Sequence, residues 1–127
     1  MVVRGLAAFL AVVGVATVAV ATGEAAGQPT LAQREAITDG LPKYVRSIPV
    51  GCLWLDIRVS RDPRYAFVGL EFLNTTSPHT QCLRYASNGF FVLKNSGGGR
   101  WAVIYEGSEW PLCSLHIPRD LVGCRHG

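Results

Sequence analysis

The chain has 127 residues, 49% of them hydrophobic, and 12 basic side chains against 9 acidic ones give a net charge of +3. That length holds one domain at most. Ten of the twelve basic residues are arginines scattered along the chain, which reads as solvated strand faces and turns and excludes a concentrated nucleic-acid surface.

Arg4 is followed by nineteen uncharged residues, Gly5 to Gly23, dominated by Ala, Val, Leu and Gly. A basic start, an apolar stretch and the small-residue pattern Ala19-Val20-Ala21 are the parts of a secretory signal peptide, cut after Ala21 or, by the Glu24-Ala25-Ala26 pattern, after Ala26. We therefore read 1–26 as a signal peptide and 27–127 as a single secreted domain. The competing reading is an uncleaved membrane anchor over residues 5–23, whose length nearly matches a bilayer core. No basic stop-transfer cluster follows the run, which favours cleavage.

An exported domain of about 100 residues has a marginal core and gains from covalent staples. All four cysteines, Cys52, Cys82, Cys113 and Cys124, fall in it, and an even count in an exported domain reads as two disulfides. Three pairings are open. The preferred one joins Cys113 to Cys124, closing a C-terminal loop, and Cys52 to Cys82, tying the first strand to the connection after the second; on the chain-entropy view these contribute about 3 and 3.7 kcal/mol. An alternative uses Cys113-x-x-His116 and Cys124-x-His126 as four zinc ligands, with a spacing unlike that of a standard finger.

Residues 22–29 are small and polar and read as a flexible leader. Thr30-Leu-Ala-Gln33 has capping-box form and starts a helix that runs to about Asp39. Gly40 and Pro42 interrupt it, and a short turn follows to about Arg46. Leu31, Ile37, Leu41, Tyr44, Val45 and Ile48 approximate one apolar face. From Cys52 to Ser60 the period becomes two, with Leu53, Leu55, Ile57 and Val59 on one side and Trp54, Asp56 and Arg58 on the other. After a turn at Ser60 to Arg64, a second strand runs from Tyr65 to Leu73, with Ala66, Val68, Leu70 and Phe72 opposite Tyr65, Phe67 and Glu71. A loop over Asn74 to Thr80 leads to Cys82. The clearest hairpin comes next, with strands at about 89–95 and 100–106 around Gly97-Gly98-Gly99. A tail over Ile117 to Val122 should cross one end of the sheet, with a turn of helix at Pro118. The expected core is Leu53, Leu55, Ile57, Val68, Leu70, Val92 and Val103.

This order predicts an α+β domain, an N-terminal helix packed on a curved four-stranded antiparallel sheet. The order is similar to cystatin-like and NTF2-like folds. Over about residues 34 to 125, the run of an Ala-Ile helix, Ser60-Arg-Asp-Pro-Arg-Tyr-Ala66, Trp101-Ala-Val-Ile-Tyr-Glu-Gly-Ser108 and Cys113-Ser-Leu-His-Ile-Pro-Arg-Asp-Leu-Val-Gly-Cys124 resembles small exported proteins of unknown function from high-GC bacteria. The resemblance implies export and this fold order, and it supplies no catalytic residue.

Signals for chemistry are sparse. The three glycines lack the Lys-Ser/Thr of a phosphate loop. No Ser has a nucleophile-elbow setting, and bridged cysteines leave no thiolate. Asp56 and Glu71 share a face and would be the acid or base of an NTF2-like cup, in a small enzyme or ligand-binding protein. A cystatin-like inhibitor would need a Gln-x-Val-x-Gly hairpin and a Pro-Trp turn; the chain lacks the first and has Trp110-Pro111 in reverse order. No catalytic, cofactor or metal residue is assigned. The main expectation is a binding domain whose surface is the sheet face bearing Trp54, Tyr65 and Phe67. Its partner would be an unidentified protein, a small ligand or a second copy of the chain, with no nucleic acid, and a membrane only if the leader stays attached.

Overall fold

The computed structural model describes residues 26–76 and 80–127. The signal peptide or anchor read into the first residues and the histidine at position 79 lie outside them. The elements are α1 (Leu31–Asp39), α2 (Lys43–Arg46), β1 (Leu53–Val59), β2 (Tyr65–Phe72), β3 (Phe90–Asn95) and β4 (Trp101–Gly107), with short 3-10 turns at Val50–Cys52, Thr80–Tyr85 and Cys113–Leu115. The four strands form one antiparallel sheet in sequence order.

The capping box closes as its spacing requires: the Gln33 amide donates to Thr30 Oγ1 (3.1 Å), and the Thr30 amide donates to Gln33 Oε1 (2.9 Å). At the other end of α1, Gly40 serves by its bareness, because a Cβ there would lie 2.6 Å from the Trp101 carbonyl oxygen. The helix can therefore close onto β4 only with glycine at this position. The β3–β4 turn has a different need. Gly97, Gly98 and Gly99 all have positive φ (113°, 63° and 75°), a run that residues with a Cβ adopt only under strain.

The helix side of the sheet holds the larger core. Ile37, Leu41 and Val45 come down onto Ile57, Val59, Ala66, Val68, Phe91, Leu93 and Trp101, with Leu53, Leu55, Leu70 and Val103 packed at the margin. Two residues of the expected helical face, Leu31 and Tyr44, are exposed instead. Leu31 occupies the first position of α1, and Tyr44 sits after the break at Pro42 that resets the direction of the face. Val92, expected in this core, is fully buried on the opposite side. Strand alternation sends Phe91 and Leu93 to the helix and Val92 away from it, in a hairpin apolar on both sides. Opposite Val92–Leu93, the register of β4 slips from Tyr105 to Val103, leaving Ile104 as an extra residue.

The second core lies on that far side. Tyr65 and Val92 are covered by Ile117 and Leu121 of the C-terminal tail, with Ala26, Phe67, Phe90, Ile104, Tyr105 and Val122 around them. The tail lies against the sheet as predicted, but the expected turn of helix at Pro118 is a tight turn closed by the Leu121 amide on the Pro118 carbonyl (3.1 Å), and the tail's one 3-10 turn falls earlier, at Cys113–Leu115. Both preferred disulfides form, Cys52–Cys82 and Cys113–Cys124. The stretch read as a flexible leader is ordered at its end: Gly27 exchanges both backbone hydrogen bonds with Val59 (2.9 and 2.8 Å), adding one bridge to the outer edge of β1.

Candidate functional site

The three aromatics expected to form one surface have three different environments. Tyr65 is 9% exposed beneath the tail, flanked by Lys94 Nζ at 5.4 Å and the Arg64 guanidinium at 5.7 Å from its ring. Phe67 is half-buried. The Arg58 guanidinium lies 4.2 Å over its ring, Phe90 stacks beside it at 5.2 Å, and its edge fills the space above Gly69, where a Cβ would approach within 3.1 Å. Trp54 alone is open, at 53% exposure. The single continuous patch of Trp54, Tyr65 and Phe67 is thus replaced by Trp54 at the β1 edge, because the tail and the arginines cover the other two.

Trp54 stands across from Glu71 in the β1–β2 register. The Arg34 side chain reaches from α1 around the edge of the sheet, donates from Nη2 to the Leu55 carbonyl (2.8 Å) and places its guanidinium 4.8 Å from the Trp54 ring centre. A cation over an indole face is favourable, and here it also fixes the ring against a strand. Leu73, 40% exposed, follows Glu71 on the same face. The strand edge beside Trp54 is open too. Val59 turns its N–H and C=O outward to Gly27, so by alternation Leu53, Leu55 and Ile57 turn theirs outward as well. Among the described residues, Arg34 on the Leu55 carbonyl is the one protein group that meets this stretch.

Asp56 and Glu71 do share the Trp54 face. Asp56 is half exposed and its nearest cation is Arg58, with Nε at 3.9 Å, while Glu71 is solvated. This is a surface ion pair of the kind a sheet carries without any reaction. The zinc alternative loses two of its four ligands, since Cys113 and Cys124 are bonded to each other. His116 caps the last 3-10 turn with φ 53° and points to solvent, and His126 lies 3.9 Å from Cys113 Sγ.

Two features escape a reading of the sequence. One is an open groove of about 970 Å³ between the start of α1 and the two hairpin tips, lined by Ala32, Ala36, Trp101, Arg64 and the glycines of the β3–β4 turn. Its walls come from three separated segments, so no local motif announces it. Arg64 is already engaged there, donating to both Asp62 oxygens (3.0 and 2.8 Å), and this hydrogen bonding holds the Asp62 carboxyl below its ordinary value. The other is the buried carboxylate of Asp120. It accepts from Ser60 Oγ (2.7 Å) and from the Arg61 amide (2.8 Å), pinning the tail to the β1–β2 turn. Ser60-Arg-Asp-Pro reads as a turn on its own, and nothing local to it names a partner sixty residues away.

No protein-family model, curated protein or solved structure matches the chain.

Proposed function

We propose that the chain is an exported, disulfide-stabilised binding domain that engages a protein partner through Trp54 and the adjoining edge of β1, on a sheet curved in the cystatin-like or NTF2-like manner. The observation that carries this reading is the half-exposed indole of Trp54, held in place by Arg34 beside a strand edge with free backbone donors and acceptors. A large rigid aromatic loses little conformational entropy on contact, which is why Trp and Arg concentrate at the centres of interfaces. An edge with unpaired N–H and C=O groups takes an extended segment by strand addition, the backbone supplying affinity and Trp54 a side-chain contact. Both cysteine pairs are joined, as in proteins that fold outside the reducing cytosol, which supports export. The cup alternative has less to rest on, because Ile37, Leu41 and Trp101 fill the helix side of the sheet.

Trp54→Ser tests the proposal. The expected result is a melting temperature within about 3 °C of the parent, as befits an exposed site, together with loss of self-association in sedimentation or of capture of its partner. Unchanged association, or an unfolded variant, removes the basis of the reading.

A further inference from the structure

The two disulfides lie in contrasting surroundings. Cys52 and Cys82 are 4% and 3% exposed, under the start of β1 and the Thr80–Tyr85 turn. Cys113 and Cys124 are both partly exposed. Two nitrogen-bearing side chains converge on one sulfur of this second pair: Arg119 Nη2 stands 4.0 Å from Cys113 Sγ and His126 Nε2 stands 3.9 Å from it. The backbone holds the arrangement, with the Cys113 amide donating to the Arg125 carbonyl and the Arg125 amide to the Pro111 carbonyl, each at 2.9 Å. A neutral disulfide sulfur gains little from a neighbouring cation, whereas a thiolate gains directly, so these side chains favour the reduced state of Cys113 over that of Cys124.

We propose that Cys113–Cys124 is a thiol-exchange site, opened by a dithiol reductant, with Cys113 as the leaving sulfur. A thiolate of the reductant attacks Cys124 Sγ. The S–S bond breaks, and its electron pair leaves on Cys113 as a thiolate facing Arg119 and His126. The reductant's second thiol, on losing its proton, attacks its own sulfur in the mixed disulfide. This closes the reductant's disulfide and releases Cys124, which takes a proton from solvent. Two electrons pass from the dithiol to the protein. Ile117, Asp120 and Leu121 lie between the two cysteines, so the reaction unties the segment that covers Tyr65 and Val92. The inference stands independently of the binding reading, since it involves neither Trp54 nor the β1 edge.

The test treats the folded chain briefly with glutathione, quenches with a maleimide before a second glutathione resolves the mixed disulfide, and maps each cysteine by peptide mass spectrometry. Cys113–Cys124 is expected to open about tenfold faster than Cys52–Cys82, with glutathione on Cys124 and the maleimide on Cys113. Arg119→Gln should lower the opened fraction by about two- to fivefold, the range a partly solvated cation beside an anion gives, and His126→Gln by no more than that, while Arg119→Lys keeps it. Arg100→Gln, on the distant β3–β4 turn, serves as a control and should change nothing. Equal opening of the two bridges, glutathione found on Cys113, or an Arg119→Gln chain that behaves like the parent would overturn the proposal.

Discussion

The two faces of the sheet are both apolar, yet they are closed by different means. On one face, the mostly aliphatic side chains of β1, β2 and β3, joined by Phe91 and Trp101, meet a nine-residue helix that supplies Ile37, with Leu41 and Val45 just beyond it. On the other, Tyr65, Phe67, Phe90 and Tyr105 meet an irregular tail that supplies Ile117, Leu121 and Val122. A helix satisfies its own backbone and delivers its apolar residues already spaced along a stripe. A tail does neither; here the Cys113–Cys124 bridge and the pairing of Leu112 with Arg125 close it into a loop, and the Asp120 carboxylate attaches that loop to the β1–β2 turn. The chemistry of the two faces differs accordingly. Aromatic rings that a short tail cannot cover accept the charged ends of arginine and lysine as lids, Arg58 over Phe67 and Arg64 and Lys94 at Tyr65.

The comparison can be broken most sharply from the helix side. Ile37 is fully buried, and Ile37→Ala should cost about 3 to 4 kcal/mol in urea unfolding, the transfer and cavity penalty of a closed core site. A loss under about 1 kcal/mol would mean that the helix is not what closes that face. Asp120→Ala sharpens the comparison from the tail side. It leaves the Ser60 hydroxyl and the Arg61 amide without their acceptor, for about 2 kcal/mol. Amide exchange should then accelerate over 113–124 while the amides of α1 stay protected. Equal acceleration in both regions would show that the two faces open as one unit and that the tail has no separate attachment.

Local patterns carried most of the architecture. The capping box, the break at Gly40-Leu-Pro42, the period-two strands and the glycine turn each depend on neighbours within a few residues, and each stands where its pattern puts it. Burial on both faces was less legible. Phe90, Phe91, Val92 and Leu93 follow one another, so alternation cannot tell which member faces the helix, and Val92 went to the tail side. The aromatic surface was legible only in part, for a related reason. Trp54, Tyr65 and Phe67 share a face by parity, but what covers a face is a long-range matter, and the covering groups are Arg58 across the strand pair and Ile117 and Leu121 about fifty residues later. The placement of Arg119 and His126 beside Cys113 and the groove at the hairpin tips are likewise products of chain reversal.

Under the signal-peptide reading of residues 1–26, the bridge between Gly27 and Val59 gives the position of the cut a thermodynamic consequence. A protease that cuts after Ala21 leaves Ala26 in its place beside the second core and leaves Gly27 as an ordinary peptide unit in the ladder. A cut after Ala26 removes that methyl contact and turns the Gly27 nitrogen into a free ammonium at the sheet edge, where an amide had donated to the Val59 carbonyl. The two products, one starting at Thr22 and the other at Gly27, should therefore differ in stability by about 1 kcal/mol in favour of the longer one. Side-by-side thermal unfolding reads that difference, and coincident curves would show that the first residues of the domain are ornamental. The tail is closed by a disulfide and pinned by a carboxylate, whereas among the described residues the opposite end of the domain is held to the sheet by a pair of backbone hydrogen bonds and one alanine.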